Sequence, residues 1–123
     1  MKTILVIVLI LFIGGIQSLG QGIEFLKGDY NAALEKAKQE GKMLFVDFYA
    51  DWCGPCKRMA KDVFTLAVVG NYFNEKFVSV QINAEDPVNR VVVKQNKVRS
   101  YPTLAFFDAD GKLLSRTEGA LDC

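Results

Sequence analysis

The chain has 123 residues, 50% hydrophobic and 24% charged, with 15 basic and 14 acidic side chains, 3 cysteines and no histidine. This composition suits one small domain with its own core, and the near-zero net charge removes any electrostatic basis for nucleic-acid binding. Without histidine there are no histidine general bases, Cys-His nucleophile pairs or histidine metal ligands, and the few cysteines exclude a fold stapled by disulfides.

The N-terminal segment has the features of a signal peptide. Lys2 precedes an unbroken apolar run over residues 4–13. Small residues at Ser18 and Gly20 fit the small-x-small rule for cleavage before Gln21. The apolar run is shorter than the roughly 20 residues that a membrane-spanning helix needs.

We therefore expect residues 1–20 to be removed and residues 21–123 to form the mature domain. The domain would then work in the periplasm or outside the cell, where disulfides persist and can be substrates. The alternative is a membrane anchor formed by residues 4–19.

Strands and helices alternate after this segment. Asp29 is predicted to cap a helix over residues 30–40 that Gly41 ends, and residues 43–49 are apolar on both faces, as in a buried central strand. The order of elements predicts an α/β fold with helices on both faces of a sheet. The later elements are a helix opened by residues 52–56, a short helix capped by Thr65, a strand at 77–82, a helix at 88–95 and a hairpin of 103–107 and 113–115 that turns at Gly111. The phenylalanines expected in the core are Phe25, Phe45, Phe48, Phe106 and Phe107.

The candidate chemistry lies at Cys53 and Cys56. Their spacing is about one helical turn, so the two side chains can meet in a disulfide. At a helix start the first amides lack partners and the helix dipole favours negative charge, so Cys53, the outer cysteine, is expected to ionise more readily than a free cysteine. Pro55 fixes φ where its missing donor costs little, and Gly54 leaves room for another backbone.

Two interpretations that give the cysteine pair a structural role remain open. Half of a zinc site would need two more ligands, for which only Cys123 and carboxylates are available. An inert structural disulfide would close so short a loop that it would stabilise the fold little. Asp47 lies in an apolar strand, so we expect it to be buried with a raised pKa, although a solvated strand position is the alternative.

Two segments resemble the thioredoxin family: FVDFYADWCGPCK at residues 45–57 and VRSYPT at residues 98–103. The resemblance runs from Gly22 to Leu121 and is greatest to envelope thioredoxin-like domains of the thiol:disulfide interchange type. It implies the thioredoxin-like fold, with a central mixed sheet and a terminal antiparallel hairpin. It also implies a thiol-disulfide oxidoreductase that reduces protein disulfides through a mixed disulfide, with no cofactor and no metal.

The resemblance also assigns roles to individual residues. Cys53 attacks the partner disulfide, Cys56 resolves the mixed disulfide, and Asp47 relays the proton of Cys56. The other implied roles are a cis peptide bond beside the cysteines for Pro102, a cover over the disulfide for Trp52, contact with substrate for Gly54 and Pro55, packing or substrate contact for Tyr101, and a field effect on the thiolate for Lys57.

The expected partners are disulfide-containing proteins and an upstream dithiol electron donor, for which we expect a membrane electron carrier, and the domain is expected to be a monomer. The Gly-Pro pair between the cysteines resembles reducing thioredoxins more than oxidising relatives. Direction depends on potential, so an oxidase or isomerase is one alternative. A redox-silent module that keeps the fold as a binding or assembly scaffold is the other.

The sequence departs from the family pattern at two places. Many thioredoxins carry a lysine near the buried aspartate, where this chain has Gln81, and losing that cation would leave Asp47 harder to ionise. The chain also stops at Cys123, before the last helix of the family. We expect it to be a fragment, in which Cys123 is a core or linker residue; the alternative is a sheet face that binds a partner.

Overall fold

The computed structural model describes residues 21–120. The predicted signal peptide or anchor and Cys123 lie outside the described residues. Within the described range, five strands and four helices follow one another. They are β1 (Phe25–Lys27), α1 (Tyr30–Glu40), β2 (Met43–Tyr49), α2 (Gly54–Asp62), α3 (Ala67–Lys76), β3 (Phe77–Asn83), α4 (Arg90–Gln95), β4 (Thr103–Phe107) and β5 (Leu113–Glu118).

The five strands form one mixed sheet in the order β1-β3-β2-β4-β5. β3 pairs in parallel with β1 and β2, whereas β4 pairs antiparallel with β2 and with β5. In the turn of this last hairpin, Gly111 has a φ of +87°, a value that favours glycine. The predicted α/β fold, with its mixed sheet and terminal hairpin, is confirmed.

Both faces of the sheet are covered by helices. Successive side chains of β2 point to opposite sides of the sheet, so this strand contributes apolar side chains to both helical layers. Leu44, Val46 and Phe48 pack in one buried cluster with residues of α1 and α4. Phe45 points the other way and packs with Met59 of α2. Asp47 shares the face of Phe45, so the α2 and α3 side of the sheet receives the residue expected to relay protons.

Phe45 occupies the centre of an aromatic cluster on that face. Its side chain is fully buried, and its ring centroid lies between 4.9 and 6.5 Å from five other phenylalanine rings. These rings belong to Phe25, Phe64, Phe73, Phe77 and Phe106. Of the predicted core phenylalanines, Phe45, Phe48 and Phe107 are buried, whereas Phe25 and Phe106 are half-buried.

The structure differs from the predicted elements at three places. β1 was not predicted, because three residues carry too little periodicity to be recognised. Thr65 does not cap a helix: α3 begins at Ala67 without a side-chain cap, and the Thr65 hydroxyl donates to the carbonyl of Lys61 instead. The predicted helix over 88–95 begins at Arg90, after a 3₁₀ turn at Pro87–Asn89.

The N-terminal segment, residues 21–24, is fixed against α3. The amide nitrogen of Asn74 donates to the Gly22 carbonyl at 3.1 Å, and its oxygen accepts from the Glu24 N–H at 2.9 Å. Gly70 lies against the same segment, where an added Cβ would come within 2.6 Å of the Gly22 Cα. A side chain at position 70 would therefore push the segment away from the helix.

Candidate active site

The cysteine pair lies where β2 passes into α2. Cys53 is the N-cap of α2, with φ −75° and ψ 108°, and its sulfur accepts the backbone N–H of Cys56 at 3.1 Å. The two residues are joined by a disulfide, with their Cα atoms 5.3 Å apart. The predicted placement at a helix start is confirmed, and with it an amide that favours negative charge on the Cys53 sulfur.

Exposure does not distinguish the two cysteines. Cys53 is 2% exposed and Cys56 is 5% exposed, so the prediction that Cys53 is the outer cysteine does not hold for this disulfide form. The difference between the two lies in their hydrogen bonds, since only the Cys53 sulfur has the cap position. A Cβ on Gly54 would meet only the guanidinium of Arg58, at 3.4 Å, so the space beside the pair is open as predicted.

Trp52 and Tyr101 form an aromatic rim beside the disulfide. Tyr101 packs against the buried cysteines, and its ring centroid lies 5.8 Å from that of Trp52 in an edge-to-face arrangement. Trp52 itself is 70% exposed, and its indole N–H donates to the carboxylate of Glu85. The rim therefore presents apolar surface to solvent next to the sulfur atoms.

The loop before β4 supplies the other wall of the site. The peptide bond between Tyr101 and Pro102 is cis, as the resemblance implies, and Pro102 is buried. The Thr103 hydroxyl donates to the Ser100 carbonyl at 2.7 Å, and the Pro102 carbonyl accepts from the Gly119 N–H at 2.8 Å. The first bond closes the loop on itself, and the second ties it to the residue that follows β5.

Asp47 is a buried carboxyl with few partners. It is 1% exposed, and burial raises its pKa to about 6, an effect that a hydrogen bond from Gln81 partly offsets. That bond, from Gln81 Nε2 to Asp47 Oδ2, is long at 3.5 Å, and Asp47 Oδ1 has no hydrogen-bond partner among the described residues. Burial and a raised pKa are confirmed, and Gln81 pairs with Asp47 in the strand register.

One pocket brings the carboxyl and a cysteine together. Asp47 and Cys56 both line a cavity of about 340 Å³, together with Gln81, Lys57 of α2 and Lys27 of β1. Lys57 was predicted to be near the cysteines, whereas Lys27 was missed. The only signal for Lys27 would have been the prediction of β1, a strand too short to be recognised.

Within residues 21–120, no three histidine, cysteine, aspartate or glutamate side chains gather closely enough to hold a metal ion. In the same range, no helix has the length and apolar character needed to cross a bilayer. The site described above therefore consists of two sulfur atoms, one buried carboxyl, nearby lysines and an aromatic rim.

Comparison with known proteins finds relatives for most of this range. A family model described as thioredoxin-like matches residues 24–109. The chloroplastic thioredoxin-like protein CITRX of Oryza sativa subsp. indica is 40% identical over 79 residues, which are 63% of this chain and 39% of that protein. The thiol:disulfide interchange protein DsbD of Tatumella citrea is 36% identical over 76 residues, which are 61% of this chain and 13% of that protein.

Among solved structures, a candidate disulphide-isomerase from Bacteroides thetaiotaomicron superimposes with a TM-score of 0.75 at 39% sequence identity. The match covers 85% of this chain and 86% of that one. In contrast, the chain spans less than half the length of the two curated relatives described above.

Proposed function

The chain belongs to the thioredoxin-like family, and from this membership we propose that it is an enzyme, a thiol-disulfide oxidoreductase that reduces disulfides in partner proteins. The observation that carries the proposal is the Cys53–Cys56 disulfide at the first turn of α2, beside a pocket that also contains Asp47. A cysteine pair at a helix start, with a buried carboxyl nearby, has what disulfide exchange requires: a stabilised thiolate and a proton acceptor.

The first step is attack on the partner. The reduced Cys53 thiolate attacks one sulfur of the partner disulfide, and a new S–S bond forms between the two proteins. The partner's own S–S bond breaks, and its second sulfur leaves as a thiolate. The amide of Cys56, which points at Cys53 Sγ, favours the thiolate before attack.

The second step resolves the mixed disulfide. The Cys56 thiol gives its proton to the Asp47 carboxylate across the shared pocket, and the new thiolate attacks Cys53 Sγ. The bond to the partner breaks, and the partner leaves with its second thiolate. Two electrons have passed to the partner, and the domain carries the Cys53–Cys56 disulfide.

The aromatic rim and the cis-proline loop are the proposed docking surface for the partner backbone. Trp52 and Tyr101 supply apolar contact next to the sulfur atoms, and Gly54 leaves open space above the helix start. Pro102 shapes the loop that carries Tyr101, and Lys57, exposed on α2, adds positive charge near the reacting thiolate. Each of these roles can be tested by substituting a single residue.

The proposed setting is the cell envelope. Its supports are the apolar run over residues 4–13, which has the character of a secretion signal, and the similarity to a thiol:disulfide interchange protein. After each cycle the domain must be reduced by another dithiol, for which a membrane-bound donor is proposed. The mature domain would then occupy residues 21–123 and act as a monomer.

The reductase proposal is tested with insulin as substrate and a dithiol as donor. Wild type should accelerate precipitation of the reduced insulin, and Cys53→Ser should bring the rate to that of dithiol alone. Cys123→Ser is the matched control, since it removes the third cysteine, which has no role in the proposed mechanism, and should keep the wild-type rate. Equal rates for wild type and Cys53→Ser would refute the proposal and favour a redox-silent scaffold.

The order of attack is tested with Cys56→Ser. This variant can form the mixed disulfide but cannot resolve it, so partners should remain attached through Cys53 on a non-reducing gel. Capture by Cys53→Ser instead would reverse the assignment of the two cysteines. A redox titration of the pair, compared with the poise of its compartment, distinguishes a reductase from an oxidase or isomerase.

A further inference from the structure

Three residues form a row across neighbouring strands on the α2 side of the sheet. Lys27 of β1 pairs in register with Gln81 of β3, and Gln81 pairs in register with Asp47 of β2. Residues paired in this way on neighbouring strands point to the same face. The row is therefore cation, amide and carboxyl, and it runs from the sheet edge to the buried proton acceptor.

All three members of the row line one pocket. Lys27, Gln81 and Asp47 share the cavity of about 340 Å³ with Cys56. The other titratable or charged groups that face this space are Tyr49 and Asp51 at the end of β2 and Lys57 on α2. Across two strand spacings the Cα atoms of Lys27 and Asp47 are about 10 Å apart, a separation that a long lysine side chain can shorten.

Within residues 21–120, Lys27 has no competing ion partner. The described residues place no carboxylate within 4.0 Å of its ammonium, whereas four other ion pairs occur in the same range. The amide N–H of Gln81 donates to Asp47. The amide oxygen of Gln81 can therefore accept a hydrogen bond from a lysine. Asp47 Oδ1 has no hydrogen-bond partner in the described part of the chain, so this part offers the carboxyl little else to stabilise its charged form.

We propose that Lys27 is a positioning residue that supplies positive charge to Asp47 through Gln81. The inference deepens the proposed function and rests on it, because a charge near Asp47 matters to catalysis only if Asp47 takes the proton of Cys56. The cation comes from the edge strand, one strand farther from Asp47 than the residue that pairs with it. A neutral amide fills the intervening position and donates to Asp47.

The direct test is a titration of the Asp47 carboxyl carbon by NMR in the oxidised protein. Removing a cation disfavours the carboxylate, so Lys27→Gln should raise the pKa of Asp47 by about half to one unit. Lys27→Arg, which keeps the charge, should leave the titration near that of wild type. Lys36→Gln is the matched control, because Lys36 is an exposed lysine on α1 that lines a different pocket.

The result would overturn the proposal if Lys27→Gln moved the Asp47 titration no more than Lys36→Gln did. A larger shift from Lys57→Gln than from Lys27→Gln would also overturn it and would assign the charge to α2. The titration needs no turnover, so it remains informative if the wild type reduces no insulin. In that case the proposed function fails while the coupling of Lys27 to Asp47 is judged separately.

The catalytic readout is the pH profile of insulin reduction. Lys27→Gln should shift the acid limb of the profile upward, with a loss of about threefold at pH 6 and a smaller loss at pH 8. Lys27→Arg should restore the wild-type profile. A uniform loss at all pH values, unrepaired by arginine, would identify a merely structural residue and refute the positioning role.

Discussion

Phe45 and Asp47 are two residues apart on the same face of β2, and both are buried, yet their surroundings are opposite in character. Phe45 is packed by five aromatic rings. Among residues 21–120, Asp47 has one long hydrogen bond, one oxygen without a partner, and a pocket beside it. One strand thus supplies stability at one position and a destabilising reactive group at the next position on that face.

The physical difference is between the burial of apolar surface, which stabilises the fold, and the desolvation of a charged group, which destabilises it. Phenylalanine gains from burial in proportion to the apolar area it removes from water, whereas a carboxylate loses hydration that one amide cannot replace. The fold can accept this loss at Asp47 because the neighbouring aromatic cluster is extensive. The following predictions separate the two contributions, from the largest expected effect to the smallest.

Phe45→Ala should lower the free energy of unfolding by about 3–5 kcal/mol, because it leaves a cavity at the centre of the aromatic cluster. Urea denaturation at constant pH measures the change. Leu114→Ala, on the exposed side of β5, is the control and should change stability by less than about 0.5 kcal/mol. A loss of under about 1 kcal/mol for Phe45→Ala would contradict the assignment of stability to this end of the strand.

Asp47→Asn should raise the free energy of unfolding near neutral pH, whereas Phe45→Ala lowers it. The folded-state pKa of about 6 lies above the ordinary value of 3.8, so the folded state holds the proton more tightly than the unfolded state. The contribution of Asp47 to stability is then greatest below about pH 4, falls as the pH rises, and levels off above about pH 6. Removing the ionisable group should raise stability at pH 7 by about 1–3 kcal/mol.

Urea denaturation at pH 4 and pH 7 tests this expectation. Asp47→Asn should lose most of the stability difference between the two pH values, and it should also slow insulin reduction. Asp110→Asn, at an exposed turn position, should leave both the difference and the rate close to wild type. An Asp47→Asn protein that is less stable than wild type at pH 7 would mean that the carboxylate is better compensated than the contacts indicate.

Glu85→Gln should have the smallest effect on stability, because it alters only one hydrogen bond of Trp52 in the exposed aromatic rim. The indole of Trp52 would lose a charged acceptor on an exposed surface, so stability should change by less than about 1 kcal/mol. The fluorescence anisotropy of Trp52, the only tryptophan in the chain, should fall as the ring becomes more mobile. Unchanged anisotropy would show that contact with Tyr101 alone holds the ring.

Much of α1, of β2 and of the cysteine turn could be predicted from local signals. The Asp29 side chain accepts the Ala32 N–H at 3.0 Å, and Gly41 ends α1 with a φ of +64°, as their residue types indicate. The spacing of Cys53 and Cys56 predicts that they can form a disulfide, and the apolar run of β2 predicts the burial of Asp47.

What the sequence left unpredicted depends on distant partners. β1 exists because three residues pair with β3, more than fifty positions away, and Lys27 comes into the pocket only through that pairing. The burial of Cys53 depends on Tyr101, which belongs to a loop before β4. Such relations have no local periodicity, so only the folded arrangement reveals them.

The contact between residues 21–24 and α3 determines how short a recombinant version of this domain can be made. Truncation to β1 would remove both hydrogen-bond partners of the Asn74 side chain and uncover the surface around Gly70. A tag or linker fused directly to Phe25 would carry the same defect. A minimal version of the domain should therefore start no later than Gln21.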